Sequence, residues 1–307
     1  MAHIIAVAAF YIFVPLIFIG IINKTKAVWA GRQGASIMQP IWDFIRLMKK
    51  GEVISTTTTF IFRFAPSIIL SSTIAAALLT PVFGHKALIS FEGDFILFAY
   101  LLALGRFFAL SSAMDTGSSF EGMGASREAT FAALIEPAFF IAMGSLAAIT
   151  GHYSFASFLA ILERGGTLSV LFMMLGVAAL FIILLAEGCR VPVDDPNTHL
   201  ELTMIHEVMI LDNSGPDLGM IIYGSALKMI LWCCLIAQMI LPTGMTFISS
   251  AAGLLAIICI IAVLIGCIES LTARLRMSHV PQFLFFATSL SMVMLALVLL
   301  ALYGGLK

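Results

Sequence analysis

Eight apolar segments of about 20 residues each run through this 307-residue chain. That length is what an α-helix needs to cross the hydrocarbon core of a bilayer. The segments predict an all-α integral membrane protein with about eight transmembrane helices, in one polytopic domain over residues 1–307. They lie at about 3–22, 61–83, 95–114, 127–149, 168–187, 219–241, 246–268 and 282–304.

The composition excludes several classes of protein. Charged residues make up only 11% of the chain, against about 25% in ordinary soluble domains, so the chain lacks the polarity to cover a soluble globule. A net charge of -1 gives no basic field for nucleic acid. The five cysteines have no spacing that suits an iron–sulfur or zinc site, and His199 and His206 supply only two ligands. We therefore expect no metal site in this chain and any redox centre on a partner.

The distribution of basic residues predicts the orientation. Alternating helices place the connections at 23–60, 115–127, 187–218 and 269–281 on one face, with ten basic residues against three on the other. The positive-inside rule puts these long connections in the cytoplasm. No internal repeat is evident, which argues against an inverted-repeat transporter. The ten basic residues are Lys24, Lys26, Arg32, Arg46, Lys49, Lys50, Arg127, Arg190, Arg274 and Arg276.

The first long connection contains a predicted amphipathic helix. Ile41, Phe44, Ile45 and Met48 recur with helical spacing and form an apolar stripe. One interpretation is a helix that lies at the lipid headgroups. The other is a docking surface for a soluble partner, which the one-sided position of the long loops favours.

The third long connection is unusually acidic. Seven of the 17 acidic residues of the chain lie between 186 and 217. Asp195 and Pro196 predict a helix start and Asn213–Pro216 a stop, with Glu201 and Glu207 flanking an apolar stripe between them. A solvated cap and a functional acidic loop both remain open for this segment.

Several charges fall inside or at the ends of the predicted spans: Arg106, Glu136, Glu187, Lys228 and Glu269. A charge at the centre of a bilayer costs about 2.5–3.5 kcal/mol, so such residues usually face one another or a watery path. Pairing of Glu136 with Lys228 or Arg106 would satisfy the charges without any transport role. The alternative, which we favour, is that these residues handle protons.

Four stretches resemble the NADH dehydrogenase subunit one family, a membrane component of respiratory complex I, and its counterpart in membrane-bound [NiFe] hydrogenases. They are "GRQGASIMQPIWDFIRLMKK", "GASREATFAALIEP", "AEGCRVPVDDPNTHLEL" and "ESLTARLRM", in order at the expected helix boundaries. The matching positions are Arg32, Gln39, Asp43, Lys49, Gly124, Arg127, Glu136, Ala186, Glu187, Arg190, Pro192, Asp194, Pro196 and Glu201. In the complex I relatives these loops line the quinone cavity and the start of a glutamate-rich proton channel.

Other positions distinguish between the two branches of the family. Ala35, Asn197 and His199 depart from the complex I pattern. The stretch "DTGSSFEGMGASREA", the "ARLR" after Glu269 and the lysine at 228 look more like formate hydrogenlyase and hydrogenase-4 type subunits. The resemblance therefore favours the hydrogenase branch.

The resemblance implies a non-catalytic anchor and coupling subunit in the cytoplasmic membrane of a prokaryote. Expected partners are a [NiFe] large subunit, a small iron–sulfur subunit and antiporter-like membrane subunits, with the [NiFe] centre and iron–sulfur clusters on those partners. The implied proton-path residues are Glu136, Glu187, Asp194, Glu201, Lys228, Arg127 and Arg190. The implied partner-docking residues are Arg32, Gln39, Asp43, Lys49, Arg274 and Arg276.

Three alternatives remain open at the level of sequence. The first is a quinone-site subunit of a complex I-like enzyme, which requires a tunnel that opens to lipid near the first helix and Arg32. The second is a free-standing ion transporter without redox partners. The third is a purely structural anchor whose buried charges form satisfied pairs.

Overall fold

The computed structural model describes residues 2–84, 87–155, 167–194, 204–242 and 244–303. Over these residues the regular secondary structure is entirely helical. Eight of the helices are long and apolar enough to cross a membrane, which confirms the predicted fold class. The helices are α1 (Ala2–Trp29), α2 (Gln39–Met48), α3 (Phe60–Leu79), α4 (Asp94–Asp115), α5 (Ser119–Thr150), α6 (Thr167–Glu187), α7 (His206–Met209), α8 (Gly215–Ile240), α9 (Phe247–Leu271) and α10 (Val280–Tyr303).

Local sequence signals account for several helix ends. The Thr59 hydroxyl accepts a hydrogen bond from the backbone N–H of Ile61, which caps α3, and Thr246 caps α9 through the N–H of Ser249. The Asp115 carboxylate, at the end of α4, accepts from the backbone N–H of Thr59 at 2.7 Å and joins α4 to the start of α3. The first turn of α3 therefore has partners for N–H groups that no helical carbonyl can reach.

Two helices extend beyond the apolar segments that predict them. Helix α5 starts at Ser119 rather than near 127, so Arg127 and Glu128 lie within it and not in the preceding connection. Similarly, α1 continues through Lys24 and Lys26 to Trp29. Hydropathy marks only the part of a helix that lies in hydrocarbon, whereas backbone hydrogen bonding continues beyond it into polar surroundings.

The helix predicted over the acidic stretch differs most from the structure. Residues 195–203, which include Glu201, lie outside the described residues, and in the described remainder the helix covers only His206–Met209. The predicted stop is instead the start of α8, where Pro216 occupies the first turn. Gly215 has φ +55° and a Cβ there would lie 2.6 Å from the carbonyl oxygen of Gly51, so this position requires glycine.

Among the eight described spans, α8 is the most enclosed. In its most apolar stretch of 18 residues, 72% are buried, against 28% in the corresponding stretch of α4. It packs against α1, α2, α3, α6 and α9. Leu227, Ile230 and Trp232 of α8 belong to the main hydrophobic core. A polar side chain on α8 is consequently held away from lipid and faces other helices.

The described parts of the four long connections lie on one face of the helix bundle, which we call the long-loop face (residues 30–59, 116–118, 188–194, 204–214 and 272–279). Hydrogen bonds join them: Val53 N–H donates to the Ser214 hydroxyl at 2.9 Å, and Leu275 N–H donates to the Pro192 carbonyl at 3.1 Å. On the opposite face, Gly93 N–H donates to the Tyr153 carbonyl at 2.7 Å. This arrangement agrees with the alternation of spans predicted from the sequence.

Candidate functional site

A buried cluster of charges forms around Arg106 of α4. Its two terminal guanidinium nitrogens donate to Glu136 of α5 and Glu187 of α6. Its Nε lies 3.6 Å from Oε1 of Glu128, also on α5. Lys228 of α8 donates through Nζ to the second oxygen of Glu187 at 3.3 Å. We call these five residues the Arg106 cluster.

The members of the Arg106 cluster come from four helices that each cross the membrane. Their side chains are largely enclosed, with Glu187 only 5% exposed and Arg106 11%, while Glu136 is 44% exposed. Buried charges of this kind persist only when they are paired. Three carboxylates face two cations, so the fully ionised cluster carries one excess negative charge, which one proton can neutralise.

Three cavities border the cluster. The smallest, of about 10 Å³, is lined by Glu128 and Glu187 together with Cys189 and Asp194, and the two larger ones have different linings. The first, which we call the polar cavity because three members of the cluster border it, has a volume of about 50 Å³ and a lining that is otherwise mostly apolar. It is bordered by Arg106, Glu128, Lys228 and parts of α3 and the 206–213 segment. The second, which we call the aromatic cavity, has a volume of about 200 Å³ and reaches Arg106, Glu136 and Glu187 from an apolar side. Its aromatic lining consists of Tyr100, Phe139, Phe140 and Trp232.

A second group of ion pairs lies at the long-loop face. Glu269 of α9 contacts Lys26 Nζ of α1 at 2.6 Å and Arg190 Nη1, just after α6, at 3.4 Å. Its carboxylate is fully enclosed, whereas the Lys26 side chain is 23% exposed. We call these three residues the Glu269 latch. It joins two spanning helices to the connection that begins immediately after Glu187.

The segment 204–213 is fastened by several polar contacts. The Asp194 carboxylate accepts from the backbone N–H groups of Ile205 and His206 at 3.0 and 3.2 Å, and its other oxygen lies 3.0 Å from Arg274 Nη2. Arg127 donates to the Met204 carbonyl at 2.9 Å. Side-chain groups thus satisfy backbone atoms that the short helix α7 leaves without helical partners.

The 204–213 segment also packs tightly against α5. A Cβ at Gly124 would lie 2.9 Å from the carbonyl oxygen of Ile205, so glycine permits the close approach. Glu121, one turn earlier, accepts from the backbone N–H of Asp212 at 3.1 Å. The 204–213 segment therefore packs directly on the polar first turns of α5.

The structure brings together three of the predicted proton-path residues and separates the others. Glu136, Glu187 and Lys228 meet at Arg106, and Lys228 pairs with Glu187 rather than with Glu136. Arg127, Arg190 and Asp194 lie outside this cluster, in the contacts that fasten the long-loop face. Glu201 lies outside the described residues. The part of all seven predicted residues in proton movement stays a prediction.

The predicted docking residues are spread over the long-loop face. Arg32 and Arg276 are exposed, and Lys49 directly follows the last residue of α2. Gln39 Nε2 donates to Asp43 Oδ1 at 2.9 Å along α2. Arg274 differs, because it points inward to Asp194 and is only 14% exposed. The docking role of these residues stays a prediction.

Two members of the cluster are absent from the site predicted from the sequence. Arg106 is named there only as a possible pairing partner of Glu136, a pair that the structure contains, and Glu128 is missed. The signal for Glu128 is its position on the same predicted helix as Glu136, eight residues earlier. An apolar segment that begins at 127 places Glu128 at the membrane boundary, whereas the longer α5 carries it into the cluster.

The described residues contain no group of three or more His, Cys, Asp or Glu side chains arranged to hold a metal ion. The buried Cys189 follows Glu187 closely in sequence. Burial, and secondarily the Glu128 carboxylate, raise the pKa of this thiol well above its usual range. Cys189 is therefore a protonated, packing side chain at neutral pH.

Two known proteins, a hydrogenase component and a formate hydrogenlyase subunit, are similar to this chain over most of its length. The chain is 32% identical over 240 residues to hydrogenase-4 component C of Escherichia coli (strain K12), covering 78% of this chain and 75% of the relative. It is 26% identical over 270 residues to formate hydrogenlyase subunit 4 of the same organism, covering 86% of this chain and 87% of the relative.

The fold also matches a solved structure. A chain in the structure of the membrane-bound sulfane sulfur reductase (MBS), an archaeal respiratory membrane complex, superposes with a TM-score of 0.83 at 22% identity. The match covers 97% of this chain and 100% of that chain. The family model described as NADH dehydrogenase matches residues 2–301. This protein therefore belongs to the NADH dehydrogenase family of complex I-like membrane proteins.

Proposed function

We propose that this chain is the non-catalytic membrane anchor and coupling subunit of an energy-converting [NiFe] hydrogenase complex of the formate hydrogenlyase or hydrogenase-4 type. The observation that carries the proposal is the Arg106 cluster, which holds one more carboxylate than cations inside the membrane domain. The names of the two curated relatives support the hydrogenase assignment.

The cluster has the electrostatics of a site that gains and loses one proton. When all five groups are ionised, their excess negative charge is unfavourable in a low dielectric, and one bound proton removes it. Glu136 is the exposed member of the cluster and reaches the aromatic cavity, so its carboxylate is the group we expect to exchange the proton. The relay role then falls to Glu136 and Glu187, with Lys228 and Arg106 setting the charge balance.

The proposal also explains the fastened long-loop face. Glu187 closes α6, and the next residues lead directly to Arg190 of the Glu269 latch and to Asp194. A movement of the connection after Glu187 is thus transmitted along a few residues to the cluster. We place the soluble redox arm on this face, with the [NiFe] large subunit and the small iron–sulfur subunit as partners and antiporter-like subunits beside the membrane domain.

The orientation belongs to the same proposal. The long-loop face carries seven of the 16 Lys and Arg residues of the chain, and Lys24, Lys26 and Arg127 lie in the helix ends that adjoin it. This distribution supports a cytoplasmic location in a prokaryotic membrane. The exposed apolar side chains of α2, among them Trp42 at 60%, suit lipid headgroups or the docked arm.

A quinone-site subunit of a complex I-like enzyme is the second candidate. The aromatic cavity of about 200 Å³ favours it. That volume is below the roughly 300–1,000 Å³ of typical small-molecule sites. Neither the polar nor the aromatic cavity is lined by α1 or Arg32, where the sequence-based hypothesis places the opening of a tunnel. The hydrogenase assignment is therefore the better supported.

Purification through a tag on this subunit in mild detergent tests the proposal. We expect a nickel-containing large subunit and a small iron–sulfur subunit to co-purify, with hydrogen-dependent dye reduction. A nickel-free arm with bound quinone supports the complex I-like alternative. Recovery of the chain alone, from membranes that contain it at normal abundance, contradicts both.

A further inference from the structure

The polar cavity beside the Arg106 cluster is bordered by a histidine, His206, that has no role in the proposed function so far. His206 begins α7 and borders this cavity together with Glu128 and Lys228. It comes from the long-loop face, whereas the cluster lies within the spans. The imidazole therefore stands between the two regions.

Buried polar atoms without hydrogen-bond partners line the same cavity. Ser112 Oγ, Asn213 Oδ1 and Arg106 Nε have no such partner among the described residues. Ser112 and Asn213 are 4% and 6% exposed. Buried polar atoms of this kind are usually satisfied by ordered water. A cavity of about 50 Å³ has room for about three waters.

The charges around His206 suit an exchangeable proton. Arg106 and Lys228 face the cavity from α4 and α8, Glu128 faces it from α5, and Glu207 is the neighbour on α7. Burial lowers the pKa of His206 below its usual value, the Glu207 carboxylate opposes this shift, and the Lys228 ammonium adds to it. The imidazole is thus neutral near pH 7, with one nitrogen that accepts a proton and one that donates.

The backbone of His206 is held independently of its ring. Asp194 accepts from the backbone N–H of His206, and Asp194 is itself held by Arg274. Residues that fasten the long-loop face therefore position the imidazole at the cavity. This contact uses the backbone N–H of His206 and does not involve its ring nitrogens.

We propose that His206 is the proton-exchange residue between the long-loop face and the Arg106 cluster, acting through the polar cavity that Ser112 and Asn213 line. One ring nitrogen takes a proton from water at the long-loop face, and the opposite nitrogen releases its proton through cavity water to the Glu128 carboxylate. Rotation of the ring, or reversal of the two transfers, restores the starting state. This inference rests on the proposed function, because it supplies the proton that the cluster is proposed to carry.

The test uses the whole complex in inverted membrane vesicles. Turnover is started with an artificial low-potential electron donor in sodium-free buffer, hydrogen is measured with an electrode, and proton movement is followed with a pH-sensitive fluorescent dye and an uncoupler control. We expect His206→Gln to lower proton movement per hydrogen formed by about tenfold. His206→Glu, which retains a titratable group of similar reach, is expected to restore much of the movement with a shifted pH profile.

His279 supplies the matched control, since it is exposed at the long-loop face and lines neither the polar nor the aromatic cavity. His279→Gln should leave proton movement unchanged. If His206→Gln prevents assembly, Ser112→Val decides the matter, because it removes a hydroxyl and fills the cavity, and it is expected to slow proton movement several-fold.

The possible outcomes separate the two proposals. Normal proton movement in assembled His206→Gln complexes, or in Ser112→Val complexes where the first variant does not assemble, overturns the role of His206 and leaves the proposed function standing. Equal loss with Gln and Glu shows a merely structural role and also overturns it. A wild-type complex that turns over without moving protons overturns both proposals.

Discussion

The Arg106 cluster and the Glu269 latch are both buried groups of charges, yet their composition differs. In the cluster, three carboxylates face two cations, and the polar and aromatic cavities adjoin them. In the latch, a single enclosed carboxylate is held between two cations from different segments. An excess of acid beside cavities favours proton exchange, whereas one acid clamped by two bases favours fastening.

Buried charges serve two different purposes in this membrane protein. The enclosed Glu269 carboxylate contacts two cations, Lys26 and Arg190, so we expect it to hold α1, α9 and the turn after α6 together. The Arg106 cluster, by contrast, has a net negative charge when all five groups are ionised, and one bound proton makes it neutral. We therefore expect variants of the cluster to change ion movement and variants of the latch to change stability.

The largest effect is expected from Arg106→Met. This change leaves the carboxylates of Glu128, Glu136 and Glu187 with Lys228 as their remaining cation, and removing one partner of a buried pair costs about 3–5 kcal/mol. We expect little assembled complex, measured by native gel and quantitative mass spectrometry. Arg63→Met, at an exposed arginine of α3, is the matched control and should assemble normally. Normal assembly of Arg106→Met would contradict the cluster as a set of interdependent charges.

Glu136→Gln separates coupling from assembly. The amide keeps the shape of the side chain and can still accept from Arg106, but it cannot exchange a proton. We expect assembled complex with proton movement per turnover lowered about a hundredfold. Glu269→Gln in the latch is the counterpart, expected to reduce the amount of complex while each assembled complex moves protons normally. The opposite pattern would reverse the roles assigned to the two regions.

Gly124→Ala tests the packing between α5 and the segment that carries His206. The added methyl group would lie 2.9 Å from the Ile205 carbonyl oxygen, and overpacking of this kind costs about 1–3 kcal/mol. We expect a lower thermal unfolding midpoint of the purified complex. Gly122→Ala places a methyl group in open space on the same helix, so an unchanged midpoint is expected there. Equal midpoints for the two variants would show that the segment moves aside freely.

The smallest effect is expected from Ser214→Ala at the long-loop face. The Ser214 hydroxyl accepts from Val53 N–H at 2.9 Å and donates to the Val53 carbonyl at 3.0 Å, which joins two connections distant in sequence. Loss of these exposed hydrogen bonds should cost about 0.5–1.5 kcal/mol. We expect faster amide hydrogen exchange around Val53. Ser71→Ala, which removes a hydroxyl bonded only within its own helix, should leave that exchange unchanged.

Those parts of the fold that hydropathy controls are predictable from the sequence. Each of the eight spans can be located because a helix in hydrocarbon must be apolar over about 20 residues. The amphipathic helix after the first span is also confirmed, since Ile41, Phe44, Ile45 and Met48 repeat with helical spacing within Gln39–Met48. Helix starts are less predictable, because residues 119–126 are largely polar or small and only continued hydrogen bonding makes them part of α5.

The segment before α8 shows why a local signal is insufficient. Asn213–Pro216 contains residues typical of a helix stop and also of a helix start, and the sequence alone does not choose between them. The choice depends on Gly51 and Val53, which approach Gly215 and Ser214 from a connection more than 150 residues away. That contact exists only in the folded chain.

The bilayer requires apolar stretches of a certain length and an uneven distribution of basic residues, and both are visible in the local sequence. The chain alone therefore indicates the class of protein, the number of spans, the shared face of the long connections and the family. Which charges meet is a different matter, because it depends on the fold. Arg106, Glu128, Glu187 and Lys228 lie on four helices, and their distances depend on how each helix is rotated and packed against its neighbours. Helix rotation is set by side-chain packing across the bundle, so pairings such as Lys228 with Glu187 emerge only when all the helices are in place.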